Sequence, residues 1–172
     1  MNDTGHVSVL LEESVAALAI NPDGTYLDGT FGRGGHSKAI LGALSSKGRL
    51  IAVDKDPAAE ASAKSFADDS RFEFMAGRFA DLPASVSDGA LDGILLDLGV
   101  SSPQLDNADR GFGFRDDGPL DMRMDTRSGV TAADWIAVAS EAQIAEVIKT
   151  YGEERFARRM ASAIVKVRAE TP

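Results

Sequence analysis

Short apolar runs alternate with helix-like stretches over the first hundred residues of the chain. Each apolar run is bounded by glycine or by polar residues, as strand ends usually are. Because strands that alternate with helices are joined by right-handed crossovers, this pattern predicts an α/β fold with a parallel sheet of four strands. The predicted strands are Thr25–Asp28, Leu50–Asp54, Phe72–Met75 and Leu91–Leu98, and the predicted helices between them are Ser37–Leu44, Pro57–Ala67 and Arg78–Val86.

The pattern changes after about Gly99, where the strand signals stop. Residues 101–129 are rich in glycine, aspartate and proline and predict a long ordered loop, a length that usually signals function. Helices are predicted beyond this loop, because two residue pairs there have the spacing of N-terminal capping boxes. These pairs are Thr131 with Asp134 and Ser140 with Gln143.

A glycine-rich segment, DGTFGRGGHS over residues 28–37, follows the first predicted strand directly. Its four glycines allow the backbone to adopt positive φ and to approach a ligand closely. Ser37 is expected to cap the following helix, whose N-terminus favours polar or anionic groups. The segment therefore predicts a cofactor loop, and a glycine-rich turn without a ligand is the alternative.

The residues around this loop indicate which cofactor it holds. From Gly32 the chain reads GRGGHS, with Ser37 where a dinucleotide fingerprint has its last glycine. Asp28 would repel a pyrophosphate but suits a cation, and Asp54, at the end of the second predicted strand, can accept both hydroxyls of a ribose. S-adenosylmethionine has a ribose, an ammonium and a sulfonium but no phosphate. These residues favour S-adenosylmethionine, with a nicotinamide cofactor as the alternative.

The fourth predicted strand leads into Asp97 and then into a Ser-Ser-Pro-Gln turn. Ligands of open α/β sheets bind at this end of the strands. Acceptors at Asp97 and Ser102 can hold the protons of an exocyclic amine and turn its lone pair toward a methyl group. Both residues are therefore candidate catalytic residues. The alternatives are that Asp97 only caps nearby loop amides and that Ser102 only starts a turn.

Composition and charge narrow the class of protein. The 172 residues are 44% hydrophobic, enough for a real core, and the absence of cysteine excludes disulfides and thiolate sites. The net charge is −9, most of it in residues 1–100, so a surface for a polyanion is expected in residues 101–172. We find no signal peptide, apolar run of membrane length or metal-ligand spacing, and expect a cytoplasmic protein without metal or membrane partner.

Two stretches of the second part combine cations with aromatic or apolar residues. Between residues 110 and 125 arginines are interspersed with phenylalanines, which predicts a stacking platform for single-stranded RNA. The alternative is that the phenylalanines fill a core and the arginines pair with neighbouring aspartates. Nearer the end of the chain, four cations share a helical face that either meets RNA phosphate or is merely solvated. The candidate RNA-contacting residues of the first stretch are Arg110, Phe112, Phe114, Arg115 and Arg123, and the cations of the second are Arg155, Arg158, Arg159 and Lys166.

Four motifs in this order resemble the ribosomal RNA small-subunit methyltransferase H family: HVSVLLEE from His6, the glycine loop, DLGVSSPQLD from Asp97 and RGFGFRDDGPLDMRMD from Arg110. The resemblance implies S-adenosylmethionine-dependent methylation of N4 of a cytidine in 16S rRNA, with the small ribosomal subunit as partner. It implies cofactor contacts from Gly34, Gly35, His36, Asp54, Phe79, Asp97 and Gln104, which join Asp28 and Gly32 of the loop. Without it, Phe79 would be taken as a core residue and His36 as a solvent-facing one.

The resemblance also bears on domain organisation. It implies a Rossmann-like methyltransferase domain, of which residues 1–104 form the first part, and an inserted helical substrate-recognition domain, incomplete, at residues 105–172. Because members of the family are considerably longer, we expect a truncated enzyme, and a homodimer is left open. Two other functions remain: a methyltransferase that acts on another substrate, and a non-catalytic module that binds the cofactor.

Overall fold

The computed structural model describes residues 8–82, 86 and 89–170. Contacts divide the chain into two compact units. The predicted domains, 1–104 for the cofactor and 105–172 for the substrate, stay predictions, because contacts do not say what either unit binds. The first unit comprises Met1–Ser101 with Met124–Arg127, and the second comprises Ser102–Arg123 with Ser128–Pro172.

The first unit is built on a sheet of four parallel strands. Their order across the sheet is β3-β2-β1-β4, so the chain builds outward from β1 on one side and then returns to its other side. This confirms the predicted α/β class and the four parallel strands, although the fourth is shorter than predicted. The strands are β1 (Thr25–Asp28), β2 (Arg49–Asp54), β3 (Phe72–Ala76) and β4 (Gly93–Leu95).

The helices of this unit follow the predicted alternation with one exception. The third helix begins as predicted, since Pro57 occupies its first turn and Asp56 accepts a hydrogen bond from the backbone N–H of Ala58 at 2.9 Å. The helix predicted over 78–86 is wrong where the structure describes it: only a 3₁₀ turn, Phe79–Asp81, forms, and residues 83–85 lie outside the described part. The helices are α1 (Leu11–Ala17), α2 (Gly35–Ala43) and α3 (Pro57–Ala63).

Arg71, just before β3, fastens the end of α2 to the sheet. Its guanidinium donates to the carbonyls of Leu41 and Leu44 at 2.9 and 2.7 Å and to both carboxylate oxygens of Asp69 at 2.9 and 2.6 Å. The last carbonyls of a helix have no partner within the helix, so a cation there satisfies them and complements the helix dipole. The same hydrogen bonds lower the pKa of Asp69 to about 2.

We expect Arg71→Ala to lower the Tm by about 5 °C, because it leaves two helix-terminal carbonyls and a paired carboxylate without their donor. The matched control is Arg49→Ala, which removes an exposed arginine whose distance to Glu73 is 3.5 Å. Exposed pairs of this kind contribute little, so the control should change the Tm by about 1 °C or less. Calorimetric melting of both variants checks this, and equal shifts would contradict it.

The second unit is helical. The predicted loop over 101–129 is partly wrong, because a short helix and a 3₁₀ turn, Ala108–Arg110, form within it. Both predicted capping boxes are confirmed by reciprocal hydrogen bonds at Thr131 and Ser140. Its helices are α4 (Ser102–Asp106), α5 (Ala132–Val138), α6 (Glu141–Gly152) and α7 (Ala157–Glu170).

The small core of the second unit lies where α6 and α7 pack together. Ala139, Ile144 and Ala161 are buried there. Arg168 donates to the carbonyl of Ile136 and to that of Ala139, the latter at 2.7 Å. It therefore satisfies the last carbonyls of α5, as Arg71 does for those of α2. Within the described residues of both units, none of the helices has the length and apolar character needed to cross a membrane.

Candidate active site

The glycine loop lies across the carboxyl ends of three strands. The backbone N–H of Gly29 donates to the carbonyl of Leu95 at the end of β4, at 2.9 Å. The N–H of Phe31 donates to the carbonyl of Val53 in β2, at 3.1 Å, while the loop itself continues from β1. These bonds hold the loop at the edge of the sheet where open α/β proteins bind their ligands.

Phe31 anchors the loop to the core, and sequence reasoning missed this residue. Its ring is buried, with centroids 5.5 Å from Phe66 and 5.3 Å from Phe74. The sequence did contain a signal, because Phe31 is the one large apolar residue of the glycine-rich segment and could therefore be expected to pack into the core. Gly34 follows with φ of 80°, and a Cβ there would lie 2.7 Å from the Phe66 ring, so this position requires glycine.

Asp28 and Ser37 form a buried pair beneath the loop. The expected capping role of Ser37 is wrong, because Gly34 is the N-cap of α2 and Ser37 lies inside the helix. The Ser37 hydroxyl donates to one carboxylate oxygen of Asp28 at 2.7 Å, and the N–H of Thr30 donates to the other at 3.1 Å. Asp28 is fully buried, so a direct contact with the cofactor stays a prediction, while its hydrogen bonds support the loop from below.

Burial raises the pKa of Asp28, and the hydrogen bond from Ser37 opposes the shift. A raised pKa in the folded state means that the folded protein binds the proton more tightly than the unfolded chain does. Stability therefore falls as the pH rises from the unfolded pKa, about 3.9, through the raised folded pKa. Asp28→Asn has no carboxyl group to titrate at this position, so we expect its free energy of unfolding to rise relative to that of the wild-type protein as the pH increases across this window. Urea unfolding of both proteins at a series of pH values measures this difference, and parallel pH profiles would contradict the prediction.

Asp54 ends β2 and orients the middle of the loop. One carboxylate oxygen accepts the N–H of Gly32 at 2.8 Å, and the other accepts the N–H of Asp56 at 2.9 Å. Each oxygen can accept a second hydrogen bond, so the half-buried carboxylate keeps capacity for the two hydroxyls of a ribose. The structure thus brings Asp54 and Gly32, two of the predicted cofactor residues, into direct contact.

Asp97 and His36 lie together at the other side of the loop. The backbone N–H of Asp97 donates to the Thr30 hydroxyl at 2.7 Å, which fixes the chain just beyond β4, while the Asp97 side chain is 52% exposed. His36 Nδ1 is 4.0 Å from Asp97 Oδ2. The imidazole is only 5% exposed, and its Nε2 has no hydrogen-bond partner among the described residues. Thr30, which was not predicted, positions Asp97.

Phe79 lies beside the start of the loop. A Cβ on Gly29 would be 3.1 Å from Cβ of Phe79, which shows how closely the two residues approach. The side chain is 41% exposed, so it is not a core residue and its ring can accept a flat partner. The family resemblance was needed to find it, because a phenylalanine after a strand carries no distinct sequence signal.

These residues fit S-adenosylmethionine by their chemistry. Asp54 offers acceptors for ribose, the exposed carboxylate of Asp97 suits a cation, and the Phe79 ring suits adenine. The unpartnered, buried Nε2 of His36 indicates a further polar partner at this edge. Among the residues that the structure describes, no group of three or more histidines and acids is arranged to hold a metal ion.

Two predicted site residues, Ser102 and Gln104, belong to the second unit. They lie on α4, where Gln104 is buried. Their predicted parts in catalysis and cofactor binding stay predictions.

The candidate RNA residues are of two kinds. The Phe114 ring is 97% exposed and Arg115 is exposed, so both are accessible to a partner. Arg123 instead donates to both carboxylate oxygens of Asp121, at 2.9 and 2.7 Å, and lowers the pKa of that carboxyl to about 2. Arg110 donates to the carbonyl of Arg123 at 3.1 Å. Phe112 is half-buried, and contacts of these five residues with RNA stay a prediction.

Comparison with known proteins identifies the family of this chain. The sequence model of the MraW methylase family matches residues 3–172. A protein named ribosomal RNA small subunit methyltransferase H from Alteromonas mediterranea is 57% identical over 175 aligned positions, which cover 99% of this chain and 56% of that protein. A protein of the same name from Chromohalobacter salexigens is 59% identical, with coverage of 99% and 52%.

The chain thus spans about half the length of these curated relatives. The match extends over nearly the whole chain, and the parallel sheet with a glycine loop at its carboxyl edge is the arrangement of a Rossmann-like methyltransferase. The resemblance inferred from the four motifs is therefore confirmed, and the chain belongs to the MraW methylase family.

Proposed function

We propose that the protein methylates N4 of a cytidine in 16S rRNA with S-adenosylmethionine as methyl donor. One observation carries the proposal: the backbone of Asp97 is held by the Thr30 hydroxyl beside the glycine loop of a MraW methylase, which leaves the Asp97 carboxylate half-exposed at this edge of the sheet. The names of the two relatives supply the substrate class. Because the chain spans about half of those relatives, the activity of the whole protein is part of the proposal.

We assign the cofactor to the loop of the first unit. Gly32, Gly34 and Gly35 would let it approach the backbone, Asp54 would accept its ribose hydroxyls, and Phe79 would stack on its adenine. S-adenosylmethionine supplies an electrophilic methyl group when it is bound. Asp28 and Ser37 support the loop from beneath, in agreement with their mutual hydrogen bond at 2.7 Å.

The role of Asp97 follows from the chemistry of the cytidine amine. The lone pair of an exocyclic amine is delocalised into the ring and is a poor nucleophile. A carboxylate that accepts a hydrogen bond from the amine holds the nitrogen in place and favours a localised lone pair. In the overall reaction the nitrogen gains a methyl group and loses one proton, which a half-exposed carboxylate can accept and pass to water.

The RNA would be bound in part by the exposed residues of the 110–125 loop. Phe114 offers a stacking face and Arg115 a cation, the combination that single-stranded RNA uses. The target base must leave its stack to reach an enzyme that modifies it. The partner would be the small ribosomal subunit in the cytoplasm, and a homodimer stays a prediction.

Methyl transfer tests the proposal directly. The protein at its full encoded length is incubated with S-adenosylmethionine carrying a labelled methyl group and with unmethylated small ribosomal subunits, and the rRNA nucleosides are separated. We expect the label in N4-methylated cytidine. Label in another nucleoside or in a small molecule would support a methyltransferase of different substrate, and binding of the cofactor without any transfer would support a non-catalytic module. Either result would overturn the proposal.

A further inference from the structure

The last helix carries a concentration of positive charge that the methylation site does not use. Residues 155–170, which comprise α7 and the two residues before it, contain five cations and one acid, Glu170, in a chain whose net charge is −9. One of the five, Arg168, is occupied by the carbonyls at the end of α5. The remaining cations are Arg155, Arg158, Arg159 and Lys166.

The packing of α7 separates this charge from the core. Ala157 and Ala161 are its buried residues, and they lie on the face that meets α6. At 100° per residue, Arg158, Ser162 and Lys166 form a row along another face, one turn apart, with Arg159 next to the first. All four of these side chains are exposed.

The cations of this row are not neutralised within the described part of the chain. None of Arg158, Arg159 and Lys166 forms an ion pair with a described acid, whereas Arg71, Arg123 and Arg127 each do. With a rise of 1.5 Å per residue, the row extends about 12 Å along the helix, which is long enough to meet consecutive phosphates of a nucleic acid strand.

An exposed aromatic ring, that of Phe156, lies next to this row. The Arg155 guanidinium lies over the ring of Phe156, 4.4 Å from its centroid, and the Phe156 side chain is 50% exposed. With Met160, Arg159 and the acid Glu154 it lines a shallow open groove on the surface. Aromatic rings beside arginines offer bases a stacking face while the cations hold the backbone.

We propose that the row of Arg158, Arg159 and Lys166, with Phe156 at its start, is a second RNA-binding surface that holds the phosphate backbone of the rRNA substrate. The inference rests on the proposed function, which supplies the RNA. Charge complementarity favours RNA over a protein partner, because this basic face matches the regular negative charge of a phosphate backbone. This surface would hold the strand, whereas Asp97 would act at the target base.

Salt-dependent RNA binding tests this surface. The triple variant Arg158→Ala/Arg159→Ala/Lys166→Ala is compared with a control that removes three exposed cations of the first unit, Lys47→Ala/Arg49→Ala/Lys64→Ala. Anisotropy of an end-labelled fragment of 16S rRNA is measured at several salt concentrations. Each lost phosphate contact lowers the slope of log affinity against log salt by about 0.7, so the variant should lose about 2 from the slope and bind about 10- to 100-fold more weakly at low salt. The control should match the wild-type protein.

A second variant separates stacking from charge. Phe156→Leu keeps an apolar side chain but removes the aromatic face, and should weaken RNA binding about tenfold while leaving the salt slope unchanged. Unchanged affinity and slope in the triple variant would overturn the inference, as would equal losses in the control. Failure of the proposed function gives a different result: the wild-type protein would transfer no methyl group to small subunits, whatever its affinity for the fragment.

Discussion

We expect Asp97→Asn to lower the rate of methyl transfer by about 10²- to 10³-fold, which is the usual effect of removing a positioned acid or base. The substitution keeps the shape of the side chain. It also keeps the backbone in place, because the bond from the N–H of Asp97 to the Thr30 hydroxyl does not involve the carboxylate. What it removes is the negative charge that we propose accepts a proton of the amine. Single-turnover methylation of small ribosomal subunits at saturating cofactor measures the effect.

The matched control for this variant is Asp81→Asn. Asp81 is an exposed acid of the same unit, 3.7 Å from Arg78 and without a part in the proposed site. It carries the same change of charge and should leave the rate unchanged. A rate for Asp97→Asn within twofold of the control would show that this carboxylate only caps the loop, the alternative left open by the sequence.

The second large effect is expected at Asp54. Asp54→Ala removes the proposed acceptor for two ribose hydroxyls, and hydrogen bonds to a charged group contribute about 1.5 kcal/mol or more each. Because about 1.4 kcal/mol corresponds to a tenfold change in Kd, affinity for S-adenosylmethionine should fall about 100-fold. The loss has a second source, since Asp54 also holds the N–H of Gly32 at 2.8 Å and so shapes the loop.

Asp54→Asn separates these two sources. The amide oxygen of asparagine can still accept the N–H of Gly32, so this contact with the loop is kept, while the charge and the acceptor for the N–H of Asp56 are lost. We expect a smaller loss of about tenfold for this variant, with both Kd values measured by calorimetry on samples that melt cooperatively. Equal affinities for the wild-type protein and Asp54→Ala would show that the carboxylate serves the loop alone.

Local sequence patterns predicted the sheet and the glycine loop, because both can be recognised from residues that are neighbours in the sequence. Apolar runs marked all four strands, the capping pairs at Thr131 and Ser140 marked two helices, and the glycines marked the loop. The candidate cofactor residue Phe79 was predicted only from the family resemblance. A strand pattern gives no information about which side chain follows it into a ligand site.

Features that depend on contacts between distant residues were not predictable in this way. The partners of Arg71 on α2 are 27 and 30 residues away along the chain, and Thr30 lies 67 residues before Asp97. Serine is a residue type that commonly caps helices, but in the folded protein the Ser37 hydroxyl donates to the buried carboxylate of Asp28 instead. Burial decided its role, and burial is set by the whole fold.

The central claim is that the first unit holds S-adenosylmethionine, and parallel calorimetric titrations of this chain with S-adenosylmethionine and with NAD test it most directly. The account predicts saturable binding of S-adenosylmethionine with one site per chain and no heat from NAD. Binding of NAD, or of neither compound by a folded sample, would contradict the assignment of the glycine loop, Asp54 and Asp97 to this cofactor.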